Sequence, residues 1–300
     1  MSNFHTPVLL NEAIEGLNIC KNGIYVDATF GGGGHSRLIM SKLSNGKLIG
    51  FDQDKDALVN SIHDENRFIM INKNFKHLKE ELSNLNIHTI DGLIADLGVS
   101  SHHFTDNQRG FSLKYDSKLD MRMNHDLEQD AAYVLNKYNA KNLSRIFKEH
   151  ADFHSPQSIV KTILKHREKR SIKTTFEFKK LFNSPLSNKQ ENKFFARLFQ
   201  ALRIEVNDEL NSLKELLTQA LDILKPSGRL VVISYHSLED KIVKNFMKFG
   251  HFINSPVKDF FGNPSFEFKL INRKPIVPSD HEIKLNNKAR SAKLRVCEKI

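Results

Sequence analysis

Cysteine is scarce: the 300-residue chain has two, Cys20 and Cys297, and neither belongs to a close pair. That spacing excludes a disulfide framework and a Cys-rich zinc site. Long apolar runs are missing as well, and none approaches the ~20 residues a membrane helix needs. The opening stretch, MSNFHTPVLL, lacks a charged segment followed by a long apolar one, so no secretory signal is expected. There is no internal repeat, no low-complexity tract and no G-x-S-x-G nucleophile elbow. A cytoplasmic protein with no membrane association is the expectation.

What is present fits one large domain or two small ones with a sizeable core. Hydrophobic residues make up 39% and charged residues 27%, an ordinary globular balance. The formal charge is +10, and the excess is concentrated. Lys161 to Arg203 holds 12 Lys and Arg against three Glu, and KLNNKARSAKLRVCEK, Lys284 to Lys299, holds six against one. Such clusters suit a polyanion, most simply nucleic acid. A solvated basic surface explains the charge equally well.

The first hundred residues alternate. GIYVDATF reads as a strand and HSRLIMSKL as a helix; KLIGFD and DKDALVNSI repeat the pattern, the second helix opening on an N-capping Asp. RFIMIN, FKHLKEELSNL and DGLIADLGVS supply a third strand, a third helix and a fourth strand. Repeated strand–helix units predict a doubly wound parallel sheet. From Asp106 to Thr218 the chain turns mostly helical, with one long amphipathic segment, NKFFARLFQALRIEVNDELNSLKELLTQALDIL, ended by Pro226 and Gly228. GRLVVISYHS is then a fifth strand and LEDKIVKNFMKF a helix. The organisation expected is a sheet domain, 1–105 and 219–300, interrupted by a helical domain, 106–218.

Four glycines, Gly31 to Gly34, follow the first strand and precede a helix. A linker would have polar, structureless flanks; a glycine turn at a strand's carboxyl end lets backbone approach a ligand. Gly31 and Gly33 match the first two positions of the dinucleotide fingerprint, but Ser36 stands at the third. Asp52, 21 residues after Gly31, can accept both ribose hydroxyl hydrogens. Asp27, four residues before Gly31, would repel a pyrophosphate. It suits a cationic cofactor without phosphates, such as S-adenosylmethionine. A nicotinamide-dependent dehydrogenase would want glycine at 36 and no acid at 27. A non-catalytic RNA-binding protein would need neither the glycine loop nor Asp52.

HTPVLLNEAI, YVDATFGGGGHS, DLGVSS, RGFS…LDMRM, FQALRIEVNDEL, VVISYHSLED and NNKARSAKLRV together resemble the bacterial ribosomal RNA small-subunit methyltransferase H family, nearly end to end. The resemblance implies a class I (Rossmann-like) methyltransferase fold. It implies S-adenosylmethionine-dependent methylation of N4 of a cytidine in the decoding centre of 16S rRNA, within the small subunit or a late precursor. Cofactor contacts are implied for Gly33, Gly34, His35, Asp52, Phe75 and Asp96. The next contact falls on His103, where the family usually has Gln. The oligomeric state stays open, a homodimer included.

The exocyclic amine of cytosine is a poor nucleophile, and positioning supplies most of the acceleration in such displacements. The D/N-P-P-Y motif of many amino-methyltransferases is absent after the fourth strand, where DLGVSS stands. Candidates for the group that accepts the amine's proton are Asp96, the backbone carbonyls of LGV (Leu97 to Val99), Tyr235 and His236; the last two serve equally well as caps of the next helix. Arg109, Phe111 and Arg122 are candidates to bind a flipped-out base, or to anchor their own loop. His102 with His103, and His150 with His154, lack a recognisable third ligand, so no metal is expected.

Overall fold

Short runs rich in Val, Ile and Phe, each bounded by turn residues, make the strands of the sheet. In the computed structural model, which describes residues 7–64, 66–99, 106, 108–182, 188–258, 260–262 and 264–300, these are β1 (Ile24–Asp27), β2 (Lys47–Phe51), β3 (Phe68–Ile71), β4 (Ile90–Asp96) and β5 (Leu224–Ser234). A small two-stranded hairpin, β6 (Val257–Lys258) and β7 (Pro264–Ser265), follows, then β8 (Phe268–Leu270) and β9 (Lys293–Lys299). The seven-stranded sheet has the order β3-β2-β1-β4-β5-β9-β8. The first five strands are parallel, and β9 runs antiparallel to both β5 and β8.

The chain divides into two compact units. The first comprises 1–98 and 210–300, the second 99–209. In the first, alternate residues of the strands go to opposite faces. Val26, Ile49, Leu93 and Val232 meet Leu213, Leu216, Leu217 and Ala220 of the helix Glu209–Ile223. Tyr25, Leu48, Ile94 and Val231 belong to the core shared with the helices Leu10–Leu17 and Gly34–Lys42. Helices cover both faces, which is the Rossmann-like, doubly wound α/β architecture that the strand–helix alternation predicts.

The second unit has its own core. Helices Ala131–Lys137, Ala140–Glu149, Gln157–Arg167, Thr175–Lys180 and Asn188–Asn207 pack Leu135, Ile146, Phe147, Ile163, Phe178, Phe195 and Leu202 together. Asp130, Asn139 and Thr174 cap three of them, Thr174 in a reciprocal capping box with Glu177.

The structure differs from the sequence reading in four places. The boundaries fall at 98/99 and 209/210, earlier than 105/106 and 218/219, because the helix Glu209–Ile223 gives its apolar face to the sheet. Amphipathic periodicity marks an apolar face but not the core that will receive it. The long amphipathic segment is two helices, broken at Asp208, whose φ of 50° is left-handed. Asn207 fixes the break: its amide accepts from Met123 N–H (2.7 Å) and donates to Met121 O (2.8 Å). KDALVN forms 3₁₀ turns after its Asp54 cap. Half of the basic C-terminal segment is β9, an internal strand, with Arg295 and Lys293 paired to Asp240 at 2.7 and 3.1 Å. Those two charges serve the fold, so a phosphate partner is not needed to explain them.

Candidate active site

Three carboxylates meet at the carboxyl ends of adjacent strands. Asp27 is the last residue of β1, Asp96 the last of β4, and Asp52 directly follows β2. Asp27 is 2% exposed. Its Oδ2 accepts from Ser36 Oγ at 2.7 Å and its Oδ1 from Thr29 N–H at 3.1 Å. Asp52 accepts from Gly31 N–H and Asp54 N–H, both at 2.8 Å, one on each oxygen. Asp96 takes the Tyr235 hydroxyl on Oδ1 at 2.7 Å, while its own N–H donates to Thr29 Oγ1 at 2.6 Å. Burial pushes each of the three carboxyls up to about 6, and the charge of Asp27 raises the other two further. Gathering three acids in a half-buried place is costly without a cation.

The glycine loop divides into two pairs. Gly31 has φ 50°, and a methyl group on Gly32 would meet nothing within 4 Å. These two border open space beside the carboxylates, a cradle that side chains would fill. Gly33 and Gly34 are glycines for packing. A Cβ on Gly33, at φ 72°, would lie 2.7 Å from the Phe30 ring, and one on Gly34 would overlap Pro7. Asn60 holds the loop from outside, its amide donating to Gly31 O at 3.2 Å.

His35 is buried in the first turn of the helix Gly34–Lys42. Its Nε2 lies 3.2 Å from Val8 O and therefore carries the proton, which leaves Nδ1 toward Asp96 Oδ2 at 4.0 Å. Burial lowers its pKa, so the ring is neutral. Phe75 opens the 3₁₀ turn after β3, half-buried against the sheet core, with ring surface left over.

The candidates for a proton acceptor separate. Tyr235 has its pKa raised by burial and by Asp96, so it stays protonated and donates to Asp96. His236 caps the helix Ser237–Phe249 in a capping box with Glu239, which is the structural reading of that residue. Asp96 is the candidate that offers an acceptor oxygen beside the cradle.

In the helical unit, the arginine candidates are occupied. Arg109 is buried and donates to Arg122 O and Met123 O, both at 2.9 Å. Arg122 grips Asp120 through two nitrogens, at 2.7 and 2.8 Å, and donates to His125 O and Leu127 O. Phe111 belongs to that unit's core. All three side chains have partners within their own unit, which fits the anchoring alternative considered for them. His103 lies outside the described residues.

Sequence reasoning passed over Thr29, Ser36, Asn60 and Glu239. Ser36 was visible only as the glycine missing from a fingerprint; its hydroxyl is what holds Asp27. Glu239, 3% exposed, accepts from Tyr235 N–H at 3.0 Å and so fixes the turn after β5. No helix among the described residues is long and apolar enough to cross a membrane.

The family model of the MraW methylase family matches residues 2–300. The chain is similar to a Flavobacterium johnsoniae protein named ribosomal RNA small subunit methyltransferase H, 51% identical over 298 residues, with 99% of this chain and 98% of that one covered. Proteins of the same name from Flavobacterium psychrophilum and Parabacteroides distasonis are 50% and 48% identical. They cover 97% and 100% of this chain, and 100% and 98% of their own lengths are matched.

Proposed function

The chain belongs to the MraW methylase family, and from that premise we propose that it methylates the exocyclic N4 of a cytidine in the decoding centre of bacterial 16S rRNA, with S-adenosylmethionine as donor. The observation that carries the donor assignment is the convergence of Asp27, Asp52 and Asp96 on an open glycine cradle. Among the described residues no Lys or Arg pairs with these acids and the nearby His35 is neutral, so the cluster is a seat for a cationic ligand and repels phosphate. Family membership removes the dehydrogenase and the non-catalytic binding protein from consideration.

The residues present fit the cofactor. When bound, S-adenosylmethionine supplies an electrophilic methyl group on a sulfonium. Asp52 has one acceptor site used on each oxygen, so lone pairs remain for the ribose hydroxyls. Gly31 and Gly32 allow close backbone approach, and the free surface of Phe75 suits the adenine. Asp27 and Asp96 would supply the negative charge that a cationic cofactor needs.

Asp96 then has a second task. With a pKa of about 6 it is ionised at neutral pH, and it accepts a hydrogen bond from the cytosine amine. That contact aligns the nitrogen lone pair and takes up the developing positive charge, which is positioning with electrostatic stabilisation. The Tyr235 hydroxyl holds Asp96 in place. N4 attack needs no covalent intermediate. Carbon-5 methylation of cytosine normally needs a cysteine nucleophile. Cys297 is buried in β9 beside Leu230 and Leu270, four residues back from the carboxyl end of β5, and its pKa is raised well above the usual thiol value.

A Cys20→Ser, Cys297→Ala variant is therefore expected to keep its activity. Mass spectrometry of digested small-subunit RNA should give N4-methylcytidine. Recovery of 5-methylcytidine, or an inactive but folded variant, would overturn the assignment.

A further inference from the structure

The helical unit holds a cleft that the methyl-transfer chemistry does not use. Lys165, Lys169, Arg170 and Lys180 line it, with Asp116 and Glu177 as the acids among its lining residues. Both acids are engaged. Glu177 takes Arg170 at 2.9 Å and the N–H groups of Lys173 and Thr174 on its other oxygen; Asp116 accepts from Phe176 N–H at 3.2 Å. Lys165, Lys169 and Lys180 are exposed, and among the described residues none has an ion-pair partner.

The surrounding basic segment sharpens the contrast. Its other arginines are committed to the unit's own fold: Arg167 to Leu135 O and Tyr138 O at 2.8 and 2.7 Å, Arg197 to Ala151 O at 2.7 Å, Arg203 to Glu209 at 2.8 Å. The guanidinium forks hold structure while the ammonium groups of two helices (Lys165, Lys180) and of the turn after the first (Lys169) are left on one concavity. A positive charge at a helix C-terminus is explained by the helix dipole. Convergence of such charges from two helices and a turn on a single cleft is not.

We propose that this cleft seats the phosphodiester backbone of the RNA substrate, a reading that rests on RNA being the methyl acceptor. Mobile lysines are point charges that suit sequence-independent phosphate contacts, whereas base reading would call for planar, fixed donors. The concave shape admits a strand; an anionic bilayer would need a convex or flat basic face.

The test uses the full-length protein and a triple variant, Lys165→Ala, Lys169→Ala, Lys180→Ala, with the all-arginine triple as its charge-preserving partner. Binding of a 16S rRNA transcript is measured over a salt series. Loss of three single-strand phosphate contacts should lower the slope of log affinity against log salt by about 2 and weaken binding by about 50-fold near 0.15 M salt. The arginine triple should restore both. Melting temperature and the calorimetric affinity for S-adenosylmethionine should stay at wild-type values. If the wild type methylates the transcript but the alanine triple keeps its slope and affinity, the cleft assignment falls alone. If the wild type neither binds nor methylates the transcript or small subunits carrying unmethylated 16S rRNA, the RNA-acceptor reading falls with it. Loss of binding to phosphatidylglycerol vesicles with RNA binding intact would make the cleft a lipid site and refute the proposal.

Discussion

Asp27→Asn should make the ligand-free protein more stable and its donor binding weaker, a pairing that a folding defect cannot produce. Asp27 is 2% exposed, and burial raises its pKa from 3.8 to about 6. That shift is roughly 2 units, or about 3 kcal/mol at 1.36 kcal/mol per unit. Because the folded pKa is the higher one, folding favours the protonated carboxyl. The stability from this group is full below pH ~3.8 and is lost as pH rises through about 6. Asparagine imitates the protonated form at every pH. Its amide oxygen can accept from Thr29 N–H, and its NH₂ can donate to the Ser36 hydroxyl, which rotates to accept. At pH ~7.5 the variant should gain about 1–3 kcal/mol, the lower figure allowing for weaker hydrogen bonds to a neutral group. For a unit of this size that is a rise of several degrees in Tm. Near pH ~3, below the unfolded pKa, the difference should vanish. Removing one carboxylate from the seat should cost about tenfold in S-adenosylmethionine affinity, about 1.4 kcal/mol. Thermal unfolding at both pH values and calorimetry at the higher one decide the matter. A variant less stable at pH ~7.5, or one that binds the donor as wild type does, would refute the reasoning.

Two further substitutions probe the same site. Gly32→Ala should melt near the wild type but bind S-adenosylmethionine about tenfold more weakly, since its methyl enters open space; Gly33→Ala should lose about 2 kcal/mol or more of stability, from its φ of 72° and the overlap with Phe30. Equal effects in melting and titration would dissolve the division of the loop. Tyr235→Phe removes a hydrogen bond that lowers the Asp96 pKa, so that pKa should rise above about 6. The acid limb of the kcat/KM profile should then move to higher pH, and an unmoved limb would mean that Asp96 does not report on the reaction.

Much of this molecule is decided locally and is therefore legible in the chain. The strand runs, the glycine turn and the spacing from Asp27 to Asp52 are short-range patterns, and each strand expected in the first hundred residues forms at its expected place. The charge logic that favours a cation over a pyrophosphate needed only the presence of Asp27 before the loop.

Other features exist only in three dimensions. Which core receives the face of Glu209–Ile223 depends on what lies across from it, and periodicity is silent on that. The partners of Arg109 and Arg122, backbone carbonyls and the Asp120 carboxylate, are visible only once the loop is folded. KLRVCEK reads as a basic tail in one dimension; between β5 and β8 it is a strand whose Lys293 and Arg295 meet Asp240. Tyr235 and Asp96 are 139 residues apart and meet at 2.7 Å because parallel strands β4 and β5 end side by side. Sequence fixes the residue types that chemistry can use, but a proton acceptor is defined by its neighbours' burial and charge, and only the packed sheet supplies those.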